Sequence, residues 1–136
     1  MGEFYGSTNN GFIKPKITWQ AQQFPEENYS LVTATLTYSR TNTGYVTSGT
    51  WAGGISIGGD GKQESRYLSI SHNSDTVAIT HTARVDHDAY GSAKVEILAW
   101  GSIPGTTLES TSILQVVALD TIPLASTVAA TDAFVE

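Results

Sequence analysis

The chain has 136 residues, a net charge of −6 and no cysteine. At that length one domain with a real core is the default, disulfides and cysteine-held metals are excluded, and seven scattered basic residues are too few to neutralise a nucleic acid. Hydrophobic residues at 40% and charged residues at 15% do not fit a disordered chain. No apolar run approaches the roughly 20 residues of a membrane helix, and the first residues lack the basic and apolar regions of a signal peptide. The composition therefore points to a soluble, mildly acidic domain, without nucleic acid and without membrane insertion.

In chain order, residues 1–12 read as an N-terminal arm that orders only against a partner. Residues 15–20, with Ile17 and Trp19, open the strand candidates. Pro25-Glu26-Glu27 suits the start of one short helical turn within 22–28. Residues 31–38 alternate cleanly, with Val32, Ala34, Leu36 and Tyr38 on one face and Thr33, Thr35 and Thr37 on the other. That is a half-buried antiparallel strand with a Thr-rich outer face. Further candidates are 49–57 (Trp51, Ile55, Ile57), 66–71 (Leu68, Ile70), 77–85 (Val77, Ile79, His81, Ala83, Val85), 93–100 (Val95, Ile97, Ala99) and 112–119 (Ile113, Gln115, Val117, Leu119). Because residue 116 is also Val, the last strand is expected to be covered on both faces.

Turn residues separate these runs: Asn42-Thr43-Gly44, Gly58-Gly59-Asp60-Gly61, His72-Asn73-Ser74-Asp75, Ala89-Tyr90-Gly91-Ser92 and Ile103-Pro104-Gly105. Asp60-Gly61 is the best hairpin signal, although the extra glycines suggest a loop longer than two residues. Strands of this length, with a turn every 8–12 residues, specify an all-β fold. The expected architecture is an antiparallel β-sandwich of about seven to nine strands, immunoglobulin-like or jelly-roll-like, over residues 13–126. Residues 127–136 follow as a tail or linker.

Asp86-His87-Asp88 is the densest cluster of ionisable groups. Strand alternation points the two carboxylates away from His87, and converging ligands are what a metal needs. His81 falls in the apolar register and reads as a hydrogen-bonded core histidine. No Gly-x-Ser-x-Gly, His-Glu-x-x-His or phosphate-cradling glycine loop is present. The chain reads as a non-enzyme without cofactor or metal.

Aromatic side chains are the alternative source of function, as a platform on which sugars stack. Trp19, Trp51 and Trp100 compete with core filling, and a domain this small needs at least two of them inside. Trp100 lies on the face opposite Val95 and Ile97, so it is the one expected to be partly exposed. Tyr45 and Tyr90 sit beside turn glycines. These three, Trp100, Tyr45 and Tyr90, are the candidate glycan contacts. Phe4, Tyr5, Phe12 and Phe134 are candidate assembly contacts, because large apolar groups on dangling segments forgo about 1.5–3 kcal/mol each unless a neighbour buries them.

Two stretches resemble a known family. His87-Asp88-Ala89-Tyr90-Gly91-Ser92-Ala93-Lys94-Val95 is similar to the His-Asn-Ala-Asp-Gly-Ser-Lys turn-and-strand motif of minor structural proteins from siphophages of Gram-positive hosts. Leu119-Asp120-Thr121-Ile122-Pro123-Leu124-Ala125-Ser126 is similar to that family's Leu-x-Thr-Ile-Pro-Arg-Ala-Ser boundary motif. Upstream, Thr18-Trp19-Gln20 and Asn28-Tyr29-Ser30-Leu31-Val32-Thr33-Ala34 resemble its opening pattern, as does the aromatic, Asn-rich start at Phe4, Tyr5, Ser7, Thr8, Asn9 and Asn10. The resemblance spans roughly residues 4–132. It departs at Tyr90, where the motif has Asp, and at Leu124, where it has Arg. If that Asp caps a turn or binds an ion, the function is lost here, and Leu124 removes any salt bridge at the domain boundary.

The resemblance implies a virion protein of the tail, baseplate or fibre, either short or an N-terminal domain. It would act in assembly and host attachment as a homo-oligomer with other phage virion proteins as partners. A capsid decoration protein, or a carbohydrate-binding module for host cell-surface polysaccharide, is the alternative.

Overall fold

The computed structural model describes residues 1–123, and among them nine β-strands and no helix are found. They are β1 (Gly2–Tyr5), β2 (Ser7–Thr8), β3 (Ile13–Phe24), β4 (Tyr29–Arg40), β5 (Thr47–Ile57), β6 (Asp60–Ile70), β7 (Thr76–Asp86), β8 (Lys94–Ser102) and β9 (Thr111–Ala118). A four-stranded sheet in the order β1-β3-β4-β7 packs on a five-stranded sheet in the order β2-β9-β8-β5-β6, and every pairing is antiparallel. The fold is a β-sandwich. Hairpins β3–β4, β5–β6 and β8–β9 stay within one sheet, while β1–β2, β2–β3, β4–β5, β6–β7 and β7–β8 cross between sheets. The three hairpins kept within a sheet distinguish the fold from a jelly roll, which sends consecutive strands to opposite sheets.

The alternation read from the sequence sets the core. Val32, Ala34, Leu36 and Tyr38 of β4 are fully buried, and opposite them lie Ile55, Ile57, Ile97, Ala99 and Ile113 of the other sheet. On the outer face Thr33 and Thr35 pair hydroxyl to hydroxyl with Thr82 (2.8 Å) and Thr80 (3.1 Å), the cross-strand contact a Thr-rich face favours. Trp51 is the largest fully buried side chain. Its Nε1 donates to Tyr38 Oη at 3.0 Å, and the Tyr38 hydroxyl in turn pairs with Thr111 Oγ1 at 2.6 Å. The two rings meet edge to face at 6.4 Å. Burial pushes the Tyr38 phenol up from its ordinary value, against these two hydrogen bonds.

Several expectations are corrected. Residues 1–12 are no free arm: β1 pairs with β3, β2 pairs with β9, and Phe4 packs on the core. The chain changes sheets at Gly6, where a Cβ would stand 2.5 Å from both Ile113 Cβ and the Ser112 carbonyl oxygen. Only glycine fits there. Tyr5 and Phe12 remain exposed, at 63% and 52%, while Phe134 lies outside the described residues. No helical turn forms at 22–28; β3 runs to Phe24, and Asn28 at φ 58° closes a hairpin turn by donating to Pro25 O. The β5–β6 loop is the two residues Gly58 and Gly59, with φ of 59° and 89°, so it is a tight primed turn, and Asp60 and Gly61 belong to β6. A β-bulge in the β4–β7 ladder after Leu36 turns Val77 outward (45% exposed) and buries Ala78 and Ile79 together. Val116 is 57% exposed, so β9 is covered on one face only.

Candidate functional site

The outer face of the five-stranded sheet carries a trench along β5. Its floor is Ala52, Gly54 and Ser56, three consecutive outward positions with almost no side chain. One wall is Trp100 with Leu98 on β8; the other is Gln63 and Ser65 on β6, with Tyr67 (69% exposed) further along the strand. The register makes the trench: Trp100 pairs with Gly54 and Gly54 with Gln63, so the indole lies across its cross-strand glycine. A Cβ at Gly54 would collide with Trp100 Cζ2 and Cε2. Trp100 is therefore half-buried, with one face against backbone and the other toward solvent. The space over Ala52, Gly53, Gln63, Glu64, Ser65 and Trp100 measures about 490 Å³.

The polar side chains facing this space are the Gln63 carboxamide and the Ser65 hydroxyl, while Glu64 alternates to the opposite face of β6. Glu64 is held between Lys62 (3.2 Å) and Arg66 (3.5 Å) on its own strand, which fixes its orientation. An aromatic plane flanked by an amide and hydroxyl can present both donors and acceptors to a flat polyol.

The three aromatic residues singled out in the sequence do not converge. Trp100 lines the trench. Tyr45 lies in the β4–β5 loop, 63% exposed, under the Arg40 guanidinium at 5.7 Å. Tyr90, 76% exposed, lies in the β7–β8 loop at the opposite end of the sandwich, because Tyr38↔Thr76 and Tyr29↔Asp86 are the two ends of the β4–β7 ladder. No single ligand of ordinary size spans all three. Gln63 and Ser65 carry no signal in the sequence, since only the β5–β6–β8 register sets them beside Trp100. The Gly53-Gly54 pair after Trp51 was the signal that could have found the floor.

The Asp86-His87-Asp88 cluster is structural. His87 is buried, with Nδ1 2.6 Å from Gly91 O and Nε2 2.8 Å from Ser30 Oγ. Since a carbonyl can only accept, Nδ1 carries the proton and Ser30 donates to Nε2. The Ser–His pair has the reach of a nucleophile and base, yet both groups are buried, and a backbone carbonyl orients the ring. Asp88 Oδ1 accepts from the backbone N–H of Tyr90 (2.8 Å) and Ser92 (2.9 Å), and Asp86 pairs with Arg84. Asp88, not residue 90, caps this turn, so Tyr90 costs the turn nothing. His81 faces inward at the sandwich margin, bonded to Asp60 O at 3.0 Å. Among the described residues no three His, Asp or Glu side chains come together in a metal-holding arrangement.

The two stretches that carry the family resemblance interlock. Ile122 N donates to Gly91 O at 2.8 Å, the same carbonyl that holds His87, and Leu119 N donates to Ala93 O at 2.9 Å. Ile122 is 1% exposed, and Gly91 at φ 80° has no room for a Cβ against the Ile122 backbone. Leu124 lies outside the described residues. No protein-family model and no curated protein matches this chain.

Proposed function

We propose that this chain is a non-catalytic structural module of a phage particle, a tail, baseplate or fibre component working with other virion proteins in assembly and host attachment. One observation carries the reading. The two stretches that resemble the siphophage family form one unit, with Gly91 O receiving both His87 Nδ1 and Ile122 N, so their joint occurrence has a physical cause. The unit pins the chain to the sandwich as far as Ile122, which is fully buried. Pro123 follows and cannot continue the ladder. Immunogold labelling of purified particles with antibodies against the chain tests this. Label at the tail or its tip is expected; particles without label overturn it.

A second reading is favoured by the trench. Trp100 over Gly54, with Gln63 and Ser65 opposite, suits a neutral glycan of the host surface, since a net charge of −6 repels a polyanionic one. Retention on purified neutral cell-wall polysaccharide should be lost in Trp100→Ala and kept in Tyr45→Ala and Tyr90→Ala. Equal retention by Trp100→Ala removes the trench as the site.

A further inference from the structure

The edges of the two sheets are treated unequally. Edge strand β6 carries Lys62, Glu64 and Arg66 at its inward-facing positions, and Lys62 reaches across to Thr80 O of β7 at 3.0 Å. Edge strand β7 carries the bulge and the Arg84–Asp86 ion pair. Charges, bulges and cross-bridges are the devices that keep edges from pairing with other chains. Strand β9 has none of them. On its outer side β2 pairs only with Thr111 and Ser112, and among the described residues no strand lies beyond Leu114–Ala118. That segment, Leu114-Gln115-Val116-Val117-Ala118, is uncharged, and Leu114 and Val116 are each 57% exposed.

We infer that Leu114–Ala118 pairs with the same segment of a second copy, antiparallel, about a two-fold axis at Val116. The segment is complementary to itself in that register. Residues directly opposite in an antiparallel pair share a face, so Val116 meets its own symmetry mate and Leu114 meets Ala118 of the second copy. The outer strip is then apolar throughout. Centring on Gln115 instead would bring Ala118 onto Ser112, where β2 already sits. Charge permits the same place: two chains of −6 repel, and neither carries a charge along this segment. Residues 119–122 leave the edge clear, since Leu119 and Ile122 bond toward β8, to Ala93 and Gly91. One patch serves both copies, as a two-fold contact requires.

The joined sheet has ten strands, and the two-fold axis keeps both Trp100 trenches on one side of it. A repeating polymer meeting both trenches is bound through an effective concentration and not through two separate events. The self-contact adds to the proposed assembly but does not depend on it: unlabelled particles would sink the virion reading and leave this pairing untouched.

Sedimentation of the full chain tests it first. Five residues bury less than a standard interface, so a dimer in exchange with monomer is expected, its fraction rising with concentration. Val116→Lys should raise the dissociation constant about tenfold or more with the melting temperature unchanged. Cysteine cross-linking reads the register, because the chain has no cysteine of its own. Under oxidation Val116→Cys should give a covalent dimer and Leu114→Cys should not, while Leu114→Cys mixed with Ala118→Cys should give one. A monomer at every concentration overturns the inference, whether or not hydrogen exchange finds the Leu114–Ala118 amides covered by the chain itself. Equal cross-linking by Val116→Cys and Leu114→Cys overturns it too.

Discussion

Two tryptophans sit within one sheet, on its opposite faces, and do different work with the same ring. Trp51 points inward over Gly53 and Gly101, which pair with each other, and is fully buried. Trp100 points outward over Gly54 and is half-buried. In both cases glycines supply the flat backbone on which the indole lies. What differs is the second face of the ring. Trp51 is enclosed, with its N–H satisfied by Tyr38 Oη, so its contribution is stability. Trp100 keeps a face open between Gln63, Ser65 and solvent, the face that the proposed glycan would use. An indole becomes a binding platform when the opposing sheet is not there to cover it.

The sharpest way to break this contrast is truncation of each ring. Trp51→Ala should cost about 3–5 kcal/mol, through lost burial and an uncollapsed cavity, whereas Trp100→Ala should cost less than about 1 kcal/mol. Chemical denaturation of the two variants checks this, and similar losses would mean that Trp100 is a core residue after all.

Next in size is the glycine under the buried ring. A Cβ at Gly101 would collide with Trp51, where the closed core cannot give way, and Gly101→Ala should lose about 1–3 kcal/mol. Gly54→Ala meets Trp100 instead, which can lift toward solvent, but also the Lys62 carbonyl oxygen at 2.6 Å. It should lose less stability than Gly101→Ala while abolishing the trench. Calorimetry paired with the polysaccharide assay separates the two effects.

The smallest effect is the pH dependence of the buried pair. Burial raises the folded Tyr38 phenol above its unfolded value of about 10, so the folded state holds its proton longer. This contribution is fully present below pH 10 and is lost as pH rises through the folded value. Tyr38→Phe should flatten that alkaline fall, at a cost of about 1–3 kcal/mol for leaving the Trp51 N–H without its acceptor. Unfolding curves between pH 8 and 11 test it; an unchanged alkaline slope would mean that Tyr38 does not titrate with unfolding.

Much of this arrangement was legible in the linear chain. Strict alternation over 31–38 and 93–100 placed Val32, Ala34, Leu36, Val95 and Ile97 inside, because a period of two assigns each side chain to a face without reference to the partner strand. The same rule put Trp100 on the outer face. Sequence by itself therefore determined a sandwich with a Thr-rich outer face and one outward tryptophan. Whatever depended on a partner strand was decided by the tertiary structure. The bulge that expels Val77 exists only in the β4–β7 ladder, and the first eight residues become strands only because β3 and β9 offer open edges. The sequence turned both acids away from His87 but named no partner for its ring; only folding set Ser30 and Gly91 against the two ring nitrogens. The trench arose the same way, from the register that sets Trp100, Gly54 and Gln63 in one row across three strands far apart in sequence. Local periodicity gives each residue its face, but only the assembled sheets give it neighbours, and a binding surface consists of neighbours.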